Sequence, residues 1–356
     1  MQGHVWTHEQ YAHVMSLARE QALAGLVSQA LMDSGIRLER QDALELFALQ
    51  QRIRKRNALM NNAVVKLCQK MKERGIRIFV MKGQTLAAHY PDAGLRQSGD
   101  IDFLCYPDDW DKAIDFFCNE LKLPVTDNTT EKHVSFQIGG VEYELHRQLA
   151  AFASPRHRRY WEEYVVPEMW ASVSAVTIDG YDVPTLSPLY NVLYVFVHSF
   201  AHLLDEGVGL RQFCDNAVLL AQQVNRPDGN DEFDVQLLEK HLEGLGLRQA
   251  FTGFGAILTD YLGFPEKSFP FIITDEDHRR APKLLMNMFE LGNFGHNKRY
   301  IQESGILHGI EHLSRITLQA RRFYHYAPSE AWWRIPYMFK WWGIKIKRLF
   351  SGEAKG

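Results

Sequence analysis

The chain opens with two long stretches in which apolar residues return every three or four positions. Helices are predicted over residues 8–32 and 40–74; in the second, Leu44, Phe47, Ala48, Leu59, Ala63, Leu67 and Met71 recur at helical spacing. Gly75 then supplies a stop. The period changes at Ile76. The run Ile76–Met81 is short, β-branched and apolar, and predicts a strand; Lys82–Tyr90 reads as a turn into a short helix, and Gly99–Tyr106 as a second strand. A helix is expected over Pro107–Lys122, with proline at its start and acidic residues in its first turn. Two alternating runs, 133–138 and 141–146, flank Gly139-Gly140, a two-residue hairpin signal. The order over residues 76–147 is therefore β-α-β-α-β-β.

Residues 156–170 form a mixed stretch rich in Arg, Trp and Tyr. From Ser187 onward the pattern is helical again, in five segments, and the tail from Trp332 to Phe350 is aromatic and basic. The segment Asn225–Asp234 is the one candidate linker, and no internal repeat is evident. The expected fold is α+β: a small mixed sheet with flanking helices, embedded in a larger, mostly helical array. Four segments are expected: N-terminal helices (1–74), a sheet-bearing core (75–150), a mostly helical region closing a cleft (151–325), and the tail (326–356).

Side chains alternate faces along a strand. Asp100 and Asp102 therefore point the same way, with Ile101 and Phe103 toward the core; Glu142, Glu144 and His146 share one face of the later strand. Burying unpaired carboxylates costs several kcal/mol, roughly, so converging ones require a cation between them. Hard oxygen ligands suit Mg2+, which takes one or two carboxylates together with substrate phosphates. A D-x-D pair alone is also what an exposed edge strand presents. Here Lys82-Gly83 joins a strand to a helix, where free backbone N–H groups can face an anion. Arg96, four residues before Asp100, can offer a phosphate a bidentate fork or pair with a surface carboxylate.

Composition narrows the class. The 356 residues are 46% hydrophobic and 23% charged with a formal net charge of -3, which argues against a protein that coats nucleic acid. Four dispersed cysteines without a CxxC pair point to free thiols in a reducing compartment. No signal peptide is expected at the N-terminus, and no apolar run approaches the ~20 residues of a membrane span, so the cytoplasm is the expected location.

The ordered set "KGQTLAAHYPDAGLRQSGDIDFL … VEYELHRQL" resembles the uncharacterised nucleotidyltransferase family within the DNA polymerase beta-like nucleotidyltransferase superfamily. The resemblance is specific over Lys82–Leu149. It continues more loosely into "HSFAHLLDEGVGLRQFCDNAVLL" and spans most of residues 40–320. It implies that Asp100 and Asp102 hold two Mg2+ ions (Mn2+ being the alternative) and that Glu144 is the third carboxylate, with Glu142 as fallback. Gly83 would be the phosphate-turn glycine, with Lys82 and Arg96 at basic positions. Members usually carry Ser or Gly after that glycine; here Gln84 follows, leaving Thr85 to offer a hydroxyl. Seventeen positions separate Gly83 from Asp100, more than is common in the superfamily. The implied substrates are an NTP and an acceptor hydroxyl of unidentified nature.

Other candidates have plainer readings. His198 and His202, four apart, resemble a metal-binding pair but lack its adjacent Glu and are assigned to the core. Arg211 and Asp215 have the spacing of a helical ion pair; the resemblance places Arg211 with the nucleotide-binding residues. The C-terminal tail could lie on a membrane surface, but Pro336 and Gly343 are expected to break its helix, so membrane contact is not favoured. The expected activity is nucleoside monophosphate transfer. A non-catalytic nucleotide-binding or scaffold protein is the alternative, and a nucleic-acid polymerase is disfavoured by the net acidity.

Overall fold

The computed structural model describes residues 5–123, 133–205, 207–224, 233–291 and 306–351. Three helices come first: α1 (His8–Glu20), α2 (Ala24–Asp33) and α3 (Arg40–Glu73). α1 starts at a capping box between Thr7 and Gln10. The single helix predicted over 8–32 is thus two. The chain turns at Ala22, which takes a φ of 54°, and the Leu23 N–H bonds back to the Ala18 carbonyl at 2.7 Å. Neither glycine nor proline stands at the turn to announce it.

α3 ends as predicted, with Gly75 at φ 65°. Its buried stripe is Leu46, Ile53, Met60, Ala63, Val64, Leu67, Cys68 and Met71, whereas Leu44, Phe47 and Leu59 of the predicted stripe are exposed. The early part of α3 has its own partners: Leu46 packs with Tyr11, Met15, Ala18, Ala24 and Leu31 from α1 and α2. The later part packs on the sheet.

Next come β1 (Ile78–Met81), α4 (Gly83–Ala87), β2 (Asp100–Cys105), α5 (Trp110–Ile114), β3 (His133–Ile138) and β4 (Val141–His146). The expected order holds. The helix predicted over 107–122 is α5 with a 3-10 turn before it and a wider π turn after it. The sheet order is β1-β2-β4-β3, with β2 parallel to β4 and the other pairs antiparallel. Gly139 and Gly140 both take positive φ, 58° and 75°, as the tight turn between β3 and β4 requires. One face of the sheet buries Ile78, Val80, Ile101, Phe103, Tyr143 and Leu145 against α3 and Phe116–Phe117.

The stretch after Ala150 is more regular than predicted. α6 (Pro155–Tyr160) and α7 (Val166–Ala171) are joined by a π turn, and a hairpin of β5 (Val173–Ile178) and β6 (Tyr181–Leu186) follows. Asp179-Gly180 between β-branched runs is the sequence signal for that hairpin, which is not among the predicted elements. The remaining helices are α8 (Pro188–Asp205), α9 (Leu210–Val224), α10 (Val235–Gly244), α11 (Arg248–Leu262), α12 (Asp275–Leu291), α13 (Ile306–Phe323) and α14 (Pro328–Ser351). α14 continues through Pro336 and Gly343, where breaks were expected; a proline removes one ladder hydrogen bond and can be carried within a long helix. The candidate linker lies outside the described residues except for Phe233 and Asp234. Among the described residues no helix is long and apolar enough to cross a membrane.

The chain is an α+β protein in two compact units. The first comprises Met1–Leu149, Glu168–Val195 and Gly209–Phe233, so it holds both sheets and α9. The second comprises Ala150–Pro167, Phe196–Val208 and Asp234–Gly356 and is helical. Within it, the buried Glu330 carboxylate accepts from the Ala153 and Ser154 N–H groups and lies 2.9 Å from His157 Nδ1, tying α14 to the start of α6. His198 and His202 belong to this unit; both are half-buried, with ring centroids 4.5 Å apart edge-on.

Candidate active site

The parallel pairing of β2 and β4 decides which carboxylates meet. Asp102 lies opposite Glu144, and Asp100 opposite Glu142. His146, two residues beyond Glu144, shares its face and stands opposite Leu104. Asp102 is buried at 3% exposure, Glu144 is partly buried and Glu142 is exposed. One potential ligand atom each from Asp102, Glu144 and His146 lie within 4.8 Å of one another. Two carboxylates and an imidazole so placed fit a divalent cation. Asp100 stands outside this close set among the described residues. Burial, with the neighbouring charges of Asp102 and Glu144, pushes its carboxyl up to about 6 against the opposing pull of Lys82 and Arg211.

Asp102 has nitrogen partners in Lys82 and His146. Lys82 Nζ lies 2.9 Å from Oδ2, and His146 Nε2 lies 2.7 Å from Oδ1 and 3.3 Å from Glu144 Oε2. The path to that lysine is local. β1 ends at Met81, and both Lys82 (φ 56°) and Gly83 (φ 44°) turn through positive φ at the entry to α4. For a lysine this conformation costs of order 1–3 kcal/mol and persists only where surrounding contacts hold it. Burial works to lower the Lys82 ammonium, but the charges of Asp102 and Asp100 outweigh it and hold the group above its usual range. His146 follows the same logic: burial opposes its protonation, and the bonds to Asp102 and Glu144 prevail, raising its pKa. Tyr194 of α8, which sequence reasoning did not single out, is buried within the field of this cluster. Its phenol is pushed up to about 12, chiefly by burial.

The predicted phosphate residues divide into two groups. Gly83 sits at the turn, where a Cβ would meet the Asp100 carbonyl oxygen at 3.5 Å, an ordinary contact distance. Gln84 turns its amide onto Asn61 and Asn57 of α3, and the buried Thr85 hydroxyl donates to the Lys82 carbonyl at 2.7 Å. These two side chains hold the turn in place. Arg96 is buried at 1% exposure. Four of its five N–H donors are engaged: two on the Asp215 carboxylate at 2.7 and 2.8 Å, one on the Gly83 carbonyl and one on Ser98 Oγ. The fork expected to face a phosphate is thus turned onto Asp215, which Tyr90 also reaches at 2.7 Å. Burial alone would raise the Asp215 carboxyl, yet Arg96 keeps it below the usual range.

The helical pair expected between Arg211 and Asp215 is replaced by this longer-range one. Arg211 Nη1 donates to the Gln97 carbonyl at 3.3 Å, and its buried Nε finds no acceptor among the described residues. Burial and the Arg96 charge lower the Arg211 pKa, opposed by Asp215 and Asp100. The roles of Asn57 and Tyr90 as anchors carried no signal in the sequence.

Residues 7–263 match the family model described as "Uncharacterised nucleotidyltransferase", and the chain belongs to that family. No curated protein matches the chain. Solved structures similar to the chain include two. One is an antigenic nucleotidyltransferase-like protein from Paracoccidioides brasiliensis, 14% identical, with a TM-score of 0.34, over 57% of this chain and 92% of that one. The other is the antibiotic-resistance factor ANT(2'')-Ia, 12% identical, with a TM-score of 0.35, over 58% of this chain and 97% of that one. At these TM-scores the likeness is recorded as similarity alone.

Proposed function

We propose that the protein transfers a nucleoside monophosphate from an NTP to an acceptor hydroxyl and releases pyrophosphate. The observation that carries this is the meeting of Asp102 and Glu144 across parallel strands, with Asp100 beside them, in a chain of the nucleotidyltransferase family. Asp100, Asp102 and Glu144 would hold divalent metal, which when bound supplies charge neutralisation at the phosphates and acidifies the acceptor hydroxyl. The acceptor oxygen forms a bond to the α-phosphorus as the bond to the bridging α,β-oxygen breaks, and the acceptor proton passes to Glu144. Backbone N–H groups of the Lys82–Gly83 turn and the Arg211 guanidinium are the groups available for the triphosphate. Arg96 acts behind them, by holding the Gly83 carbonyl.

The test is pyrophosphate release with each NTP, Mg2+ or Mn2+ and a panel of hydroxyl acceptors. Asp102→Asn is expected to lower the rate by orders of magnitude in the pair that reacts. A second reading, a nucleotide-binding protein without turnover, is favoured by the engagement of Gln84, Thr85 and Arg96 in internal packing. Full restoration of the cellular phenotype by the Asp102→Asn chain would select that second reading.

A further inference from the structure

We propose that His146 is itself a metal ligand, and that its nitrogen makes this site take a first-row transition ion, such as Mn2+, in preference to Mg2+. This rests on the reading of the cluster as a divalent-metal site and goes beyond it by naming the donor that sets ion choice.

The argument starts from placement. His146 follows Glu144 by two residues on β4, so the pleat puts both side chains on the face that carries Asp102. The ring is buried, and its Nε2 lies 2.7 Å from Asp102 Oδ1 and 3.3 Å from Glu144 Oε2. Neighbouring donors around one octahedral ion, each at ~2.1 Å, lie roughly 3 Å apart. The imidazole nitrogen therefore stands from each carboxylate oxygen at about the separation a shared ion needs.

The second step is donor chemistry. Mg2+ demands oxygen ligands in near-ideal octahedral geometry, whereas imidazole nitrogen suits first-row transition ions, and Mn2+ accepts carboxylate oxygen too. Lys82 adds to the bias. Its ammonium lies 2.9 Å from Asp102 Oδ2 and neutralises part of the anionic charge that a hard cation would rely on. The oxygen set is weakened on one side and supplemented by nitrogen on the other. Both changes act against Mg2+.

The experiment uses the full chain, stripped of metal with a chelator. Mn2+ binding is followed by loss of the free-ion electron paramagnetic resonance signal, with Mg2+ as competitor, and ligand nitrogen by electron spin echo modulation. Expected are Mn2+ binding at least tenfold tighter than Mg2+ and a directly bound 14N coupling. In His146→Gln the coupling should vanish and the Mn2+/Mg2+ ratio should fall by tenfold or more. His146→Asp, which restores an oxygen donor, should regain Mg2+ binding and guards against a Gln variant that folds poorly. Mn2+ bound without nitrogen coupling, or an unchanged ratio in His146→Gln, overturns the assignment while leaving the divalent site intact. Failure of wild-type protein to bind either ion, with or without NTP, overturns the site reading and this inference together.

Discussion

At the scale of single residues, the two aspartates of β2 are not equivalent. Asp102 is paired with Lys82 and His146, whereas Asp100 is crowded by like charge. Asp102→Asn leaves the partly buried Lys82 ammonium without that carboxylate, so a loss of ~1–3 kcal/mol is expected in metal-free buffer. Asp100→Asn removes repulsion and is expected to leave stability unchanged or raised. Urea unfolding in chelator checks both, and equal losses would contradict the asymmetry. Asp109 offers a pH test away from this site. Its carboxylate accepts from the Arg77 side chain and backbone N–H and from Lys112, and is held at about 2. A depressed carboxylate contributes stability above its unfolded pKa, near 3.9, and loses it as pH falls through the folded value. Its cationic partners are largely exposed and therefore screened. Asp109→Asn should thus cost about 1 kcal/mol at neutral pH, and the difference should close between about pH 4 and pH 2. A difference undiminished at pH 2 would refute the ionic origin.

At the scale of elements, α9 is fastened to the glycine turn through one buried pair. Asp215 holds Arg96, and Arg96 holds the Gly83 carbonyl. Asp215→Ala strands a buried guanidinium, and a loss of ~3–5 kcal/mol is expected. Tyr90→Phe removes one hydrogen bond to the same charged carboxylate and should cost less, about 1.5–3 kcal/mol. Hydrogen exchange would show where the damage falls: faster exchange at Leu86 and Ala88, whose N–H groups close α4, is the expected signature in Asp215→Ala. Exchange unchanged there would separate Arg96 from the turn. α2 carries a tighter constraint. A Cβ at Gly25 would stand 2.0 Å from the Leu95 carbonyl oxygen. Backbone cannot yield as a flexible side chain can, so Gly25→Ala is expected to destabilise by ~1–3 kcal/mol, although alanine is the better helix former.

At the scale of the whole molecule, ligand binding should appear as stability. An ion or NTP present at a hundredfold its Kd adds ~2.7 kcal/mol to a protein that binds it only when folded. Melting temperature is therefore expected to rise with divalent metal and NTP together and to fall back on chelation. Asp102→Asn should lose the metal-dependent part of that rise. A metal-dependent rise of the same size in the variant would place the ion elsewhere.

Local periodicity determined a good deal by itself. The period-2 runs placed Asp100 and Asp102 on one strand face and Glu142, Glu144 and His146 on another, and Gly139-Gly140 marked the hairpin, because pleat and turn depend only on neighbours in the chain. What periodicity states is a face; it does not state who stands opposite. The strand register chose Glu144 for Asp102. The turn at Ala22 split a helix whose apolar spacing ran on unbroken. Arg96 found Asp215 across 119 positions of chain, where sequence spacing offered Arg211 at four. A buried charge takes the partner that packing brings within hydrogen-bond reach, and only the tertiary structure decides which that is.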